Sequence, residues 1–265
     1  MFPCTDPVLT YLNELGYNVV RLPRSGIVPL EVIGKRGREN PETLGQIETI
    51  WKSETAKPTP AEDTATSVNG GITKSLKLSI GIKLLENILP ALGAGTASVG
   101  ATYQNASTLK FRFGKPKVLK IDALIVGEYL RSGDIDLQNS LTKYFLKKDY
   151  YAYIITEVLQ SNSISVIAED KLGNGIDVAI PAVGGAAKGG VTIEKSTATK
   201  GALTYKGKEF LTFGYKAFQI AVVDGRWDLE RVRSTGSNAL LAPADEAKAR
   251  ETLKDAVVEE ELSML

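Results

Sequence analysis

Among its 265 residues the chain has no histidine and a single cysteine, Cys4. The missing imidazole excludes Ser-His-Asp and Cys-His nucleophilic catalysis and removes the commonest metal ligand. One thiol closes no internal disulfide and builds no thiolate zinc site. There is also no run of about 18 apolar residues, so no segment qualifies as a transmembrane helix. Neither sign of charge is in excess: 32 Lys and Arg face 31 Asp and Glu, for a net +1. That balance argues against nucleic acid as a partner. Residues 1–30 lack a basic start and an apolar core, and Asp6 and Glu14 come early, so no secretory signal is read and the chain is expected in the cytoplasm. No lipobox surrounds Cys4. An enzyme built on this chain would need carboxylate or lysine chemistry, and no pair stands out by spacing. The stretch GGAAKGG at 184–190 lacks the GxxxxGK[ST] spacing of a phosphate loop and reads as a flexible hairpin tip. No metal or dissociable cofactor is expected.

What is present is mostly strand-like. Residues 6–16, DPVLTYLNELG, have Leu9, Leu12 and Leu15 at helical spacing with Gly16 as a stop. YNVVRLP reads as a strand ending at Pro23, and RSGIVPLEVIG as a turn followed by a second extended piece. Residues 35–71 are polar, contain Pro41, Pro58 and Pro60, and read as loop. From Leu76 the pattern alternates: Leu76, Leu78, Ile80, Ile82 and Leu84 against Lys77, Ser79, Gly81 and Lys83, the mark of a half-buried strand. ENILPALGAG, with Leu89 and Leu92, reads as an apolar turn. Alternation resumes with Val99, Ala101, Tyr103, Leu109, Phe111 and Phe113 on one face. Residues 122–147 suggest two short helices around Gly133, and DYYAYIITEVLQ a central strand. SISVIAED, GIDVAIPAV, GVTIEK, GALTYKG and EFLTFGYKAFQIAVV read as further strands. The pattern reads as an α+β chain, with its strands in a sheet and short helices beside them.

The end of the chain changes character. STGSNALLAPADE is a linker in composition, and residues 242–265 read as a helix with Ala249, Leu253 and Val257 on one face. That tail carries Lys248, Arg250 and Lys254 against Asp245, Glu246, Glu251, Asp255, Glu259, Glu260 and Glu261. It is therefore acidic, and the rest of the chain is basic. A solvated terminal helix and an acidic latch on a basic body both fit this pattern. Two domains are expected, 1–241 and 242–265.

GYNVVRLPRSGIVPLEVIG, LKLSIGIKLLENIL and DYYAYIITEVLQSNSISVIAED, in that order, resemble the bacterial gasdermins. The resemblance runs from about Cys4 to the acidic tail. It implies an α+β fold, a twisted, mainly antiparallel central β-sheet with surrounding helices and a short C-terminal helical peptide, in a soluble, inactive monomer held by that peptide. A partner protease, often caspase-like, would cut before that peptide. The freed body would assemble with copies of itself into a large β-barrel pore in the cell membrane, killing the cell and limiting phage. It also implies a palmitoyl group on Cys4. Within the linker, Arg231 and Arg233 would suit a trypsin-like protease, and Leu240 and Leu241 one preferring a bulky apolar residue. Leu253 and Val257 would make the restraining contacts. Leu76, Leu78, Ile80, Ile82, Leu89, Leu92, Val99, Tyr103, Leu109 and Phe111 would enter the membrane, with ENILPALGAG and AVGGAAKGG as the strand tips that touch lipid first. Membrane strands need about 9–11 residues with one apolar and one polar face. Segments 76–84 and 99–113 supply that alternation, and 176–182 and 191–205 do so less regularly. Without the resemblance, the same pattern fits a soluble α+β enzyme or ligand-binding protein.

Overall fold

The computed structural model describes residues 16–37, 39, 41–64, 75–180, 191–223 and 225–230. In chain order the strands are β1 (Asn18–Arg24), β2 (Glu31–Arg36), β3 (Glu42–Gln46), β4 (Trp51–Ser53), β5 (Ala61–Thr64) and β6 (Leu76–Lys77). Helices α1 (Leu78–Leu92) and α2 (Val99–Thr102) follow, then β7 (Thr108–Gly114), β8 (Lys117–Lys120), α3 (Ala123–Arg131) and β9 (Gly133–Ile135). A fourth helix, α4 (Lys143–Leu146), precedes β10 (Tyr150–Glu169), β11 (Thr192–Lys195), β12 (Ala202–Val223) and β13 (Arg226–Glu230). The fold is α+β, and the strand pairings given below are all antiparallel. The linker and tail from 231, the segment around Cys4 and the glycine-rich 184–190 lie outside the described residues.

Two compact units share the chain, and β10 and β12 contribute residues to both. In the first unit β7 lies against the distal half of β10, with Leu109 opposite Ala168, Phe111 opposite Val166 and Phe113 opposite Ile164. β1 pairs with β12, Asn18 facing Tyr215, and β11 pairs with the start of β12. β7 alternates strictly between buried and half-buried positions, because every second side chain of a strand points to the same face. Its inner face joins Leu85, Leu89, Leu92, Tyr103 and Phe213 in one core. Phe113 meets Phe213 edge-on, with ring centroids 4.6 Å apart.

The second unit pairs the proximal half of β10 with β2, β2 with β3, and the end of β12 with β13. Its core centres on Trp227, which packs edge-on against Trp51 at 5.6 Å and Phe145 at 6.1 Å. The Trp227 indole Nε1 donates to Asp134 Oδ1 at 3.1 Å. Asp122 caps α3 by accepting from the Leu124 amide at 2.8 Å, one of the orphan donors of a first turn.

Several elements depart from the sequence expectation. Segment 76–84 is a strand for only two residues; from Leu78 it is the helix α1, which continues through the supposed turn to Leu92. The same residues carry a second period. Leu78, Ile82, Leu85, Leu89 and Leu92 fall at i, i+4, i+7, i+11 and i+14, and the helix buries Leu85, Leu89 and Leu92 along that stripe. Gly93 ends the helix in the left-handed region at φ 91°, its amide bonding back to Leu89 and Pro90. Val99–Thr102, expected as strand, is the helix α2. Residues 35–71 contain three short strands rather than loop alone. The second helix expected within 122–147 is reduced to the four residues of α4, with β9 and a 3-10 turn before it. DYYAYIITEVLQ and SISVIAED are one strand, as are GALTYKG and EFLTFGYKAFQIAVV. No named strand covers 176–180, where a single bridge joins Gly175 to Glu169.

Candidate functional site

The residues expected to enter the membrane gather in the first unit. Leu76, Leu89, Leu92, Val99, Tyr103, Leu109 and Phe111 are all buried in its core, and Leu78 and Ile82 are packed against it. Ile80 stands apart at 43% exposed. In this folded form Leu89 and Leu92 are therefore core residues of a helix, not an exposed turn. A charge placed there would break the folded form itself.

Helix α1 sits close to its neighbours through two glycines. A Cβ on Gly81 would come within 2.9 Å of Leu109 Cδ1 on β7. One on Gly207 of β12 would come within 2.8 Å of the Leu92 carbonyl oxygen. Two residues from Gly207, Tyr205 meets Tyr103 from the end of α2: their hydroxyls are 3.0 Å apart and buried. Burial pushes both phenols above their ordinary range, most strongly Tyr103, whose loss of a proton is opposed further by the Tyr205 hydroxyl. Both therefore remain neutral and share one hydrogen bond. The start of β12 thus touches the 78–103 segment at two adjacent same-face positions.

The base of that segment is polar. The buried Glu169, last residue of β10, accepts from Lys110 Nζ at 2.6 Å, Ser75 Oγ at 3.2 Å and Thr108 Oγ1 at 3.4 Å. Past it, the Asp170 carboxylate accepts from the amides of Leu172 and Asn174 at 2.8 and 2.9 Å. These bonds, the Asn174 amide first, hold its carboxyl below the usual range. The turn they fix carries Leu172 outward, 87% exposed.

Sequence reasoning did not single out Tyr205, Gly207 or the Lys110–Glu169 pair. Their partners lie 102, 115 and 59 residues away in the chain, and no local pattern encodes such contacts. The helical stripe of α1, by contrast, was available in the spacing from Leu78 to Leu92 and in the C-terminal Gly93. Cys4, Arg231, Arg233, Leu240, Leu241, Leu253 and Val257 lie outside the described residues. Among the described residues no cluster of three His, Cys, Asp or Glu could hold a metal ion, and no helix is long and apolar enough to cross a membrane.

The family model described as Bacterial Gasdermin Family matches residues 20–236. A gasdermin from Vitiosangium sp. is 37% identical over 225 residues, which span 84% of each chain. One from a Desulfuromonadales bacterium is 29% identical over 242 residues, 90% of each chain. In fold, the chain is similar to the solved structure of a bacterial gasdermin from Bradyrhizobium tropiciagri. The TM-score is 0.57 at 18% identity, covering 86% of this chain and 91% of that one. A family match over most of the length, joined to a relative 37% identical over 84% of the chain, places the chain in the bacterial gasdermin family.

Proposed function

We propose that this gasdermin is an autoinhibited pore-forming protein. A protease, caspase-like or trypsin-like, cuts between Arg231 and Pro243 and releases the acidic tail 242–265. The body 1–241 then associates with copies of itself and with membrane lipid to form a β-barrel pore, lysing the cell as a defence against phage. The protein is cytoplasmic until cut and moves to the inner membrane afterwards. Leu253 and Val257 of the tail cover apolar surface of the body, a contact of roughly 3–6 kcal/mol. A palmitoyl group on Cys4 adds about 0.8 kcal/mol of membrane affinity per buried CH₂.

One observation carries this reading. Residues 76–84 satisfy two periods at once. The helical period is the one folded, and it leaves Ile80 largely outside the core. The period-two set, Leu76, Leu78, Ile80, Ile82 and Leu84, gains a use for Ile80 only as a strand with one face in an apolar medium. Antiparallel to it, β7 already has the alternation of such a strand, and Leu76 faces Leu109 at the start of the pair. A hairpin grown from β6 and β7 would put both apolar sets on one side.

The test uses dye-loaded liposomes and the full chain with a cleavable sequence placed in 231–243. Leakage should follow cutting and be absent before it. Ile80→Asp should leave the uncut monomer folded, because the side chain is largely exposed, yet suppress leakage after cutting. Full leakage from Ile80→Asp would remove the strand-forming role from this segment. No leakage from the cut parent protein would remove the pore-forming reading.

A further inference from the structure

We infer that the water-facing wall of the assembled pore is cationic, so that small anions pass in preference to cations, with Lys206 and Lys208 as the main determinants. The inference rests on the pore-forming reading above and adds to it the sign of what passes.

The register divides the first unit's strands into two faces. Residues directly opposite each other in an antiparallel pair project from the same face. Leu109, Phe111 and Phe113 face Ala168, Val166 and Ile164, and all six are buried in the core. The intervening Thr108, Lys110 and Arg112 face Glu169, Ile167 and Ser165 on the other side. Lys77 joins that side, being opposite Thr108. On the neighbouring pair, Lys206 faces Thr192 and Thr204 faces Glu194. The Ser165 and Thr204 hydroxyls, 2.7 Å apart, connect the two polar surfaces into one. Lys208, two residues beyond Lys206 on the same strand, shares its side, and both lysines are exposed.

In a membrane barrel the apolar face meets lipid and the alternate face meets water. Here the alternate face carries Lys77, Lys110, Arg112, Lys206 and Lys208 against Glu169 and Glu194. Glu169 and Lys110 neutralise each other at 2.6 Å. Among the described residues no carboxylate pairs with Arg112, Lys206 or Lys208, and the Arg112 Nε is buried without a partner. Glu209 is exposed but falls on the alternate side of β12 from Lys208, so it does not offset the wall. Repeated around a ring of subunits, the surplus cations raise the local concentration of anions within a Debye length of the wall.

Planar bilayers with a KCl gradient test this on the cut full-length protein, with salt below about 0.1 M so that the Debye length exceeds about 10 Å. The reversal potential should take the sign set by chloride, and its displacement should shrink as salt is raised. Lys206→Glu with Lys208→Glu should abolish or invert the displacement, and the neutral Gln pair should give an intermediate value. A potassium-selective parent pore, or chloride preference unchanged in both double variants, overturns the inference while leaving pore formation standing. Absence of any current from the cut parent protein overturns the pore-forming reading, and this inference with it.

Discussion

Tyr103 and Tyr205 illustrate how a single polar contact can be neutral in sum and costly in part. Their hydroxyls satisfy each other in an apolar core at 3.0 Å. Removing one hydroxyl leaves the other buried and unpaired, at a cost of about 1–3 kcal/mol; removing both leaves no orphan. Tyr103→Phe and Tyr205→Phe should each lower the denaturation midpoint, and the double variant should recover most of the loss. Urea titration of the three proteins checks this, and an additive double variant would refute the pairing. A pH dependence follows as well. Both phenol pKa values are raised by burial, so the native state favours the protonated form. That contribution is complete below the unfolded pKa of about 10 and is lost as pH climbs above it. Alkaline unfolding should therefore be steeper in the parent than in the double Phe variant.

Glu169 obeys a harsher rule, because its carboxylate is buried and charged. Lys110→Ala should destabilise by about 1–3 kcal/mol, since it removes a charge-assisted bond and leaves the acid with Ser75 and Thr108 alone. Arg112→Ala, with no ion-pair partner among the described residues to lose, should cost less. Equal costs for the two, read from thermal melts, would show that the Glu169 contact contributes little.

At the level of elements, α1 is where sequence and structure diverge, and the reason is window length. Nine residues from Leu76 to Leu84 fit a period of two and are too few to exclude 3.6. The deciding signal lay downstream, in Leu85, Leu89, Leu92 and Gly93, but Pro90 made that stretch read as a turn. Pro90 falls in the last turn of the helix, three residues before the left-handed cap, where its missing N–H removes one bond near the end while the Gly93 amide still bonds back to Leu89. β10 and β12 were legible because their long apolar runs are rich in β-branched and aromatic residues, and β7 and β11 because Gly and polar turns bound them. The pairing of β12 with β1, and the glycine contact under Leu92, were not, since neither is a local property.

The geometry of α1 separates two aspartate substitutions that the sequence alone treats alike. Leu89→Asp buries a charge in the core and should unfold the first unit, a loss above about 4 kcal/mol. Ile80→Asp should change stability by no more than about 1 kcal/mol. Circular dichroism melts distinguish them, and equal stability of the two variants would contradict the helix. Gly207→Ala probes the other side of the contact. Its Cβ would meet backbone rather than a flexible side chain, so α1 must lift, at about 1–3 kcal/mol. Hydrogen exchange should then quicken across 85–93 while the second unit stays protected; unchanged exchange there would mean that the helix is held elsewhere.

For the whole molecule, the proposed switch depends on charge distribution more than on net charge. The chain is close to neutral at +1, yet its tail 242–265 is acidic and the remainder basic. Deleting 242–265 should make expression toxic in a membrane-dependent way. A deletion variant that is soluble, monomeric and harmless would remove the tail's restraining role. Salt should weaken the restraint, because exposed charges more than about 8–10 Å apart are screened near 0.1 M.

The pairing of β1 with β12 also sets a clock. Asn18 finds its partner only when Tyr215 has been synthesised, so the sheet edge of the first unit cannot close early in translation. The tail segment begins at Ala242, 27 residues after Tyr215, about 1–5 s of synthesis at 5–20 residues per second. On the proposed reading the tail follows the closing of that edge within seconds, which leaves a nascent chain little time folded without it. With the tail restraining the body as proposed above, a pair 197 residues apart in the chain shortens the unrestrained interval during biosynthesis.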